Sequence, residues 1–204
     1  MVKWRCLICQ YIHVGDTPPD ICPVCSAGKD KFVRVEEEGG NDSDSGEKNT
    51  IKEKSPRKGL YSLLTDTLTK HHAHPISVHF PNGVIPIAVV FVIIAFFMNN
   101  RSLMEASYYN TIVVLLSLPV VLFTGFVEWQ KKYNGALTKF FIIKIICGII
   151  VFISSTGLVV WYYFQPEIFS STQAGRWLYL LVNIFMLVGA GIAGFIGGKL
   201  VFKD

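Results

Sequence analysis

The sequence predicts two structural classes in one chain: a small metal-stapled, β-rich module, followed by an all-α four-helix transmembrane bundle. Three observations predict this. Four of the five cysteines fall within the first 25 residues as two C-x-x-C pairs. Residues 36–58 hold almost no apolar side chains. After them come four apolar stretches, each long enough to cross a bilayer. The predicted organisation is a metal-binding module at 1–35, a flexible linker at 36–58, an interfacial amphipathic helix at 59–73 and a four-helix transmembrane domain at 74–204.

The module comes first. Cys6-Leu7-Ile8-Cys9 and Cys22-Pro23-Val24-Cys25 are separated by twelve residues. Four thiolates so spaced form a tetrahedral sulfur cage that holds one zinc or one iron. Structural disulfides are the competing reading, but nothing marks the module as secreted, and paired C-x-x-C turns read as a metal site. Trp4, Tyr11 and Phe32 are its aromatics. A segment of this size is too short to bury a sufficient core, so the metal must supply much of the folding free energy. Zinc does that as well as iron, and the spacing leaves both open.

Around the cysteines stand Trp4 and Tyr11, then Gly15-Asp16 and Pro18-Pro19 in the gap, then Lys31-Phe32-Val33 after the second pair. This pattern resembles the rubredoxin-like module at the C-terminus of rubrerythrins. The resemblance covers about a sixth of the chain. It implies one iron bound by Cys6, Cys9, Cys22 and Cys25, cycling between ferric and ferrous. Two positions depart from the family, where glycine usually follows each pair because the backbone turns sharply and its amides point at sulfur. Here those positions are Gln10 and Ser26. A non-glycine residue at positive φ is uncommon and costs some stability.

The linker, from Glu36-Glu37-Glu38-Gly39-Gly40 to Ser55-Pro56-Arg57-Lys58, is charged and rich in Gly and Ser. Its length gives a root-mean-square reach of about 25–30 Å. Next, Leu60, Leu63, Leu64 and Leu68 recur at helical spacing. They predict a helix lying on the membrane surface or packed against the bundle. The spans are expected at about Phe80–Met98, Tyr108–Val127, Leu137–Phe164 and Trp177–Phe202.

Charge sets the expected orientation. Lys52, Lys54, Arg57, Lys58, Lys70, Lys131, Lys132, Lys139, Lys199 and Lys203 flank one side, against Arg101 and Arg176 on the other. The excess of Lys and Arg puts both termini and the metal module in the cytoplasm, on a multi-pass protein of a prokaryotic inner membrane. Tyr108, Tyr109, Trp161, Tyr162, Tyr163, Trp177 and Tyr179 are expected to belt the outer interface, Trp129 and Tyr133 the inner one. The net charge of +4 follows from these inner lysines and gives no reason to invoke nucleic acid.

Four of the five histidines crowd into His71-His72-Ala73-His74-Pro75-Ile76-Ser77-Val78-His79. With Phe80-Pro81-Asn82-Gly83 they make the phrase His74-Pro-x-x-Val-His79-Phe-Pro-x-Gly83. This phrase, with Gly197-Gly198-Lys199-Leu200-Val201-Phe202 at the end, resembles the signature of a widespread family of predicted four-helix membrane proteins of unknown function. That resemblance covers about residues 70–202 and implies the fold. Many relatives carry further histidines near the third and fourth spans, and this chain has none there.

His74, His79, Glu128 and Lys144 are the candidate cofactor-binding residues, expected to line one inner-leaflet pocket. The outer half is expected to hold no comparable set. His74 and His79, five apart on one helix, point about 140° away from each other. A haem b held by both within one chain therefore fits poorly, and a quinone head group hydrogen-bonded by one histidine fits better. Lys144 is read as snorkelling, with Glu128 as the alternative partner. Ser117, Ser154, Ser155, Thr156 and Asn183 are expected to make helix–helix hydrogen bonds. Gly189, Ala193 and Gly197, with Ala190, Gly194 and Gly198, form two small-residue ladders for tight packing, within the chain or in a homo-oligomer.

Together these features point to a membrane-tethered one-electron carrier between a cytoplasmic redox protein and a membrane partner such as a quinone bound near His79. No nucleophile–base pair marks an independent catalytic site. The competing classes are a structural zinc ribbon docking on a membrane scaffold, and a transporter or sensor gated by redox state.

Overall fold

The computed structural model describes residues 2–35, 59–168 and 173–202; the expected linker lies outside the described residues. The N-terminal module is a three-stranded antiparallel sheet of order β2-β1-β3. Its strands are β1 (Lys3–Cys6), β2 (Ile12–Val14) and β3 (Phe32–Val35). Along β1 the side chains alternate as a strand requires: Lys3 and Arg5 are exposed, Trp4 is half-buried and Cys6 is buried. The central strand pairs Trp4 with His13 on one side and with Arg34 on the other. The Trp4 indole donates to the Gly15 carbonyl at 3.1 Å, tying the gap between the cysteine pairs to the sheet.

Beyond residue 58 the described chain is helical: α1 (Leu60–Lys70), α2 (Ala73–Met98), α3 (Arg101–Tyr133), α4 (Lys139–Phe164) and α5 (Gln173–Phe202). The last four are long and apolar enough to cross a membrane, with mean hydropathy of 2.1 to 2.4 over their most apolar windows. About a third of each window is buried, and large side chains such as Leu116, Ile153 and Phe195 point outward. A helix apolar on all sides needs lipid around it, and a helix satisfies its own backbone there.

The bundle core is built from Ile85, Val89 and Val92 of α2, Met104, Val114 and Leu118 of α3, Val151 and Leu158 of α4, and Met186 of α5. Short turns join neighbours. Asn99, at φ 50°, ends α2, and the Asn100 side chain caps α3 by accepting from the Leu103 amide at 3.1 Å. The turn after α3 uses Asn134 and Gly135, both at positive φ.

Several expectations change on folding. The α1 helix packs against the bundle through Thr65, which is buried, and through an ion pair between Asp66 and Lys131. Its leucines Leu60, Leu63 and Leu64 are the exposed face, so the helix both packs and turns apolar surface outward. Of the expected outer belt, Tyr109, Tyr163 and Trp177 are exposed, whereas Tyr162 and Tyr179 are buried and Tyr108 packs on Tyr162 at 4.7 Å between ring centres. Aromatic rings near a helix end fill the core when the chain folds that end inward.

The hydroxyl residues also behave differently. Ser117, Ser155 and Thr156 bond carbonyls of their own helices, and so does the amide nitrogen of Asn183. Because a carbonyl of the preceding turn is always within reach, local back-bonding competes with cross-helix bonding. A cross-helix bond comes from Ser107, which donates to the Ala88 carbonyl at 2.9 Å.

The α5 ladders pack within the chain. A Cβ on Gly189 would meet Ile150 and Val151 of α4 at 3.4 Å, and one on Gly194 would meet Asn82 of α2 at 3.0 Å. The module lies against one end of this bundle. Its four cysteines, Val24, Ala27 and Phe32 share one apolar cluster with Tyr133, Phe141, Ile196 and Leu200 from the ends of α3, α4 and α5.

Candidate metal centre

The two cysteine turns are built alike. In the first, the Cys6 amide donates to the Tyr11 carbonyl at 2.8 Å and the Gln10 amide to the Cys6 carbonyl at 2.9 Å. In the second, Cys22 donates to Ala27 at 2.7 Å and Ser26 to Cys22 at 2.9 Å. Every partner is displaced by sixteen positions, so one turn is a structural copy of the other. Gln10 and Ser26 adopt φ of 62° and 61°, the left-handed region that glycine usually fills. That backbone turn aims the next amides inward: Tyr11 donates to the Cys9 sulfur and Ala27 to the Cys25 sulfur. The amides of Cys9 and Cys25 do the same for Cys6 and Cys22.

The four Sγ atoms lie within 4.8 Å of one another, all on buried residues. Cys6 and Cys25 are 3.8 Å apart and Cys9 and Cys22 3.6 Å. A tetrahedral ion with metal–sulfur bonds of about 2.3 Å has sulfur–sulfur edges of about 3.8 Å. The cage therefore fits a single ion, and an all-sulfur donor set selects a soft or borderline one. Hydrogen bonds among the crowded thiols divide their acidities. Cys22, then Cys25, pull Cys6 well below the ordinary thiol range, and Cys25 draws Cys22 down to about 7. Cys22 pushes both Cys9 and Cys25 upward. A bound cation lets all four sulfurs stay ionised together, and proton binding competes with it.

At the same end of the bundle sits a second polar cluster. The α2 helix begins at Ala73, so His74 and Pro75 occupy its first turn, where a missing amide hydrogen costs little. Lys144 Nζ of α4 lies 3.4 Å from His74 Nε2, and His74 Nδ1 lies 3.4 Å from the Thr124 hydroxyl of α3. An ammonium can only donate, so Nε2 accepts and the ring proton resides on Nδ1, donating to Thr124. Ser77 joins Thr124 at 3.1 Å. Gly125 makes room, since a Cβ there would stand 2.9 Å from His74.

The structure thus brings His74 and Lys144 together. Glu128 lies beside them across a small cleft lined also by His72 and Thr124, and pairs with Lys132 at 3.3 Å. Lys144 meets the His74 imidazole, and no ion pair between Lys144 and Glu128 is found among the described residues. His79 does not join the group. It is exposed on the outward face of α2, as its five-residue offset from His74 dictates. Thr124, Ser77 and Gly125 were missed in the sequence; a Thr and a Gly side by side on an apolar helix carry no mark of a histidine partner fifty residues earlier.

The far end of the bundle is also more polar than expected. A cavity of about 170 Å³ there is lined by Asn99, Asn100, Arg101, Tyr162 and Glu167 among others. Arg101 is committed to Glu105 and Glu167, each at 3.0 Å.

The fold and the cage define a protein with four membrane-length helices and a rubredoxin-like metal-binding module. Residues 4–33 match the rubredoxin-like domain of rubrerythrin. Residues 70–204, about two thirds of the chain, match the family described as predicted membrane protein (DUF2231), and the chain belongs to that family.

Among curated proteins, reverse rubrerythrin-1 of Clostridium acetobutylicum is 40% identical over 72 residues, 34% of this chain and 40% of that protein. Rubredoxin-2 of Chlorobaculum tepidum is 38% identical over 52 residues, 17% of this chain and the whole of that protein. The chain therefore spans well under half the length of the first relative and all of the second. No solved structure matches the chain.

Proposed function

We propose that this protein is a membrane-tethered rubredoxin-like electron carrier, passing single electrons between a cytoplasmic redox protein and a quinone in the membrane. The observation that carries this reading is the tetrahedral four-sulfur cage packed against one end of four membrane-length helices. The likeness of the module to a rubredoxin favours iron at Cys6, Cys9, Cys22 and Cys25. Bound there, iron supplies one-electron ferric–ferrous chemistry.

The chain's own residues do the rest. Inward amides of Cys9, Tyr11, Cys25 and Ala27 stabilise negative charge on sulfur and so tune the potential. The preponderance of basic residues on one side supports a module end in the cytoplasm, at an inner membrane. There the thiols stay reduced and free for metal.

In the bundle, Lys144 presents its remaining ammonium hydrogens to a quinone oxygen, His74 holds Lys144 in place by accepting from it, and Glu128 stands near them on the way to the aqueous surface. Two electrons delivered singly, with two protons from the cytoplasmic side, convert quinone to quinol. The cleft beside His74 has room for about one water, 10 Å³, so a quinone ring meets the cluster from the lipid side. A haem shared by His74 and His79 within one chain does not fit, since they lie on opposite faces of α2.

The test is metal content and electron transfer in protein purified from its native host. About one iron per chain is expected, lost in Cys9→Ser or Cys22→Ser, with a visible absorption that bleaches on reduction. Re-oxidation by quinone-loaded membranes should slow at least tenfold in His74→Ala and stay at the wild-type rate in His79→Ala. Stoichiometric zinc without iron in the native protein would sink the electron-transfer reading and leave a zinc ribbon docked on a membrane scaffold.

A further inference from the structure

We propose that the end of the bundle formed by Tyr133, Phe141, Ile196 and Leu200 is a receptor for the chain's own metal module, and that Tyr133 is the positioning residue that holds the cage there for electron exchange. The electron-exchange half of this inference rests on the function proposed above; the docking half does not.

The module itself supplies the first argument. Both of its cysteine turns are buried: Cys6, Cys9, Cys22 and Cys25 are none more than 5% exposed, and Val24 is wholly buried. A module of three short strands has too little mass to bury both turns by itself. The apolar cluster that holds these residues names the neighbour: Tyr133, Phe141, Ile196 and Leu200, none more than 6% exposed.

The bundle supplies the second argument. These four residues sit at the ends of three different helices, where lipid gives way to water. Uncovered, they would face the aqueous interface. Tyr133 and Phe141 stack at 4.8 Å and form the floor of the contact. Charge supplies the third. Lys132 lies 5.6 Å over the Tyr133 ring and Lys199 lies 5.4 Å over the Phe140 ring. A cage of four thiolates around a ferric or ferrous ion carries net negative charge, so this basic rim complements it.

Tyr133 lies within electrostatic range of Cys9 in the first turn and of Cys25 in the second, so it faces the cage and not one turn alone. An iron held by the four cysteines would go from ferrous to ferric by giving one electron to the membrane quinone, with no bond to the protein formed or broken.

The experiment uses the full chain in lipid nanodiscs, with Phe140 replaced by a photo-reactive benzophenone amino acid. Illumination should cross-link position 140 to a peptide of the metal module, residues 2–35. Ile196→Glu and, separately, Tyr133→Ala should each reduce the yield at least fivefold with metal content per chain unchanged; Tyr133→Phe should preserve it. The zinc-loaded protein should give the same pattern, so the docking test is independent of redox chemistry. No module label in the wild type, or equal yields in wild type and Ile196→Glu, overturns the receptor.

In the iron-loaded protein, Tyr133→Ala should slow re-oxidation by quinone-loaded membranes tenfold or more. An unchanged rate despite a lost cross-link removes Tyr133 from the electron route. Cross-linking without any re-oxidation in the wild type leaves the receptor standing and ends the electron-carrier reading instead.

Discussion

Gln10 and Ser26 show how a single backbone angle serves the metal site. Each holds a left-handed conformation so that the following amide can reach a sulfur. For an L-residue that conformation costs roughly 1–2 kcal/mol, while glycine pays about 0.5–1 kcal/mol more in entropy on folding. Gln10→Gly and Ser26→Gly should therefore each stabilise the metal-loaded module slightly, by less than about 1 kcal/mol. The temperature at which the loaded protein releases its metal is the measurement, and it should rise by a few degrees. A fall would mean that the side chain holds the turn, for which Gln10 offers only a 3.5 Å contact to the Leu7 carbonyl. At this scale the cage was legible because cysteine spacing encodes its own geometry. The membrane cluster was only half legible. His74 and His79 look alike in sequence, and which one turns inward depends on where α2 starts, a matter of one or two residues near Pro75.

The helices were legible as elements because apolar length alone specifies a span, but what each face meets was not. On α5 the same four-residue ladder contains positions of opposite consequence. A Cβ on Gly194 would stand only 3.0 Å from the Asn82 side chain, whereas nothing stands within 4 Å of a Cβ on Gly198. Gly194→Val should destabilise the bundle by about 1–3 kcal/mol, the ordinary range for overpacking. Gly198→Ala should leave it unchanged within about 0.5 kcal/mol. Thermal unfolding of the two variants in the same detergent compares them directly, and equal effects would mean that α5 does not approach α2 as closely as described. The two readings left open for α1 have a related cause. A stripe of leucines specifies an amphipathic helix, but in a membrane protein the apolar side faces lipid as readily as core, and the buried contact falls to Thr65.

For the whole molecule, the sequence shows two parts joined by a polar segment and gives no sign that they touch. The contact uses Tyr133, Phe141, Ile196 and Leu200, residues that in sequence are indistinguishable from interfacial anchors and span ends. Only folding brings three helix ends together into one surface. This contact also ties orientation to chemistry, since the module and the module-side ends of all the helices must lie on one side of the membrane. Ten basic residues flank that side and two the other, which under the proposed function assigns it to the cytoplasm. A cytoplasm-active reporter fused after Asp204 should therefore be active, and a periplasm-active one should be silent there but active when inserted in the short turn at Asn99-Asn100. The reverse pattern would place the cage on the oxidising side, where closely spaced thiols pair as disulfides instead of holding a metal. The module would then lose the ion that stabilises its fold, so the topology test probes the metal centre as well as the membrane domain.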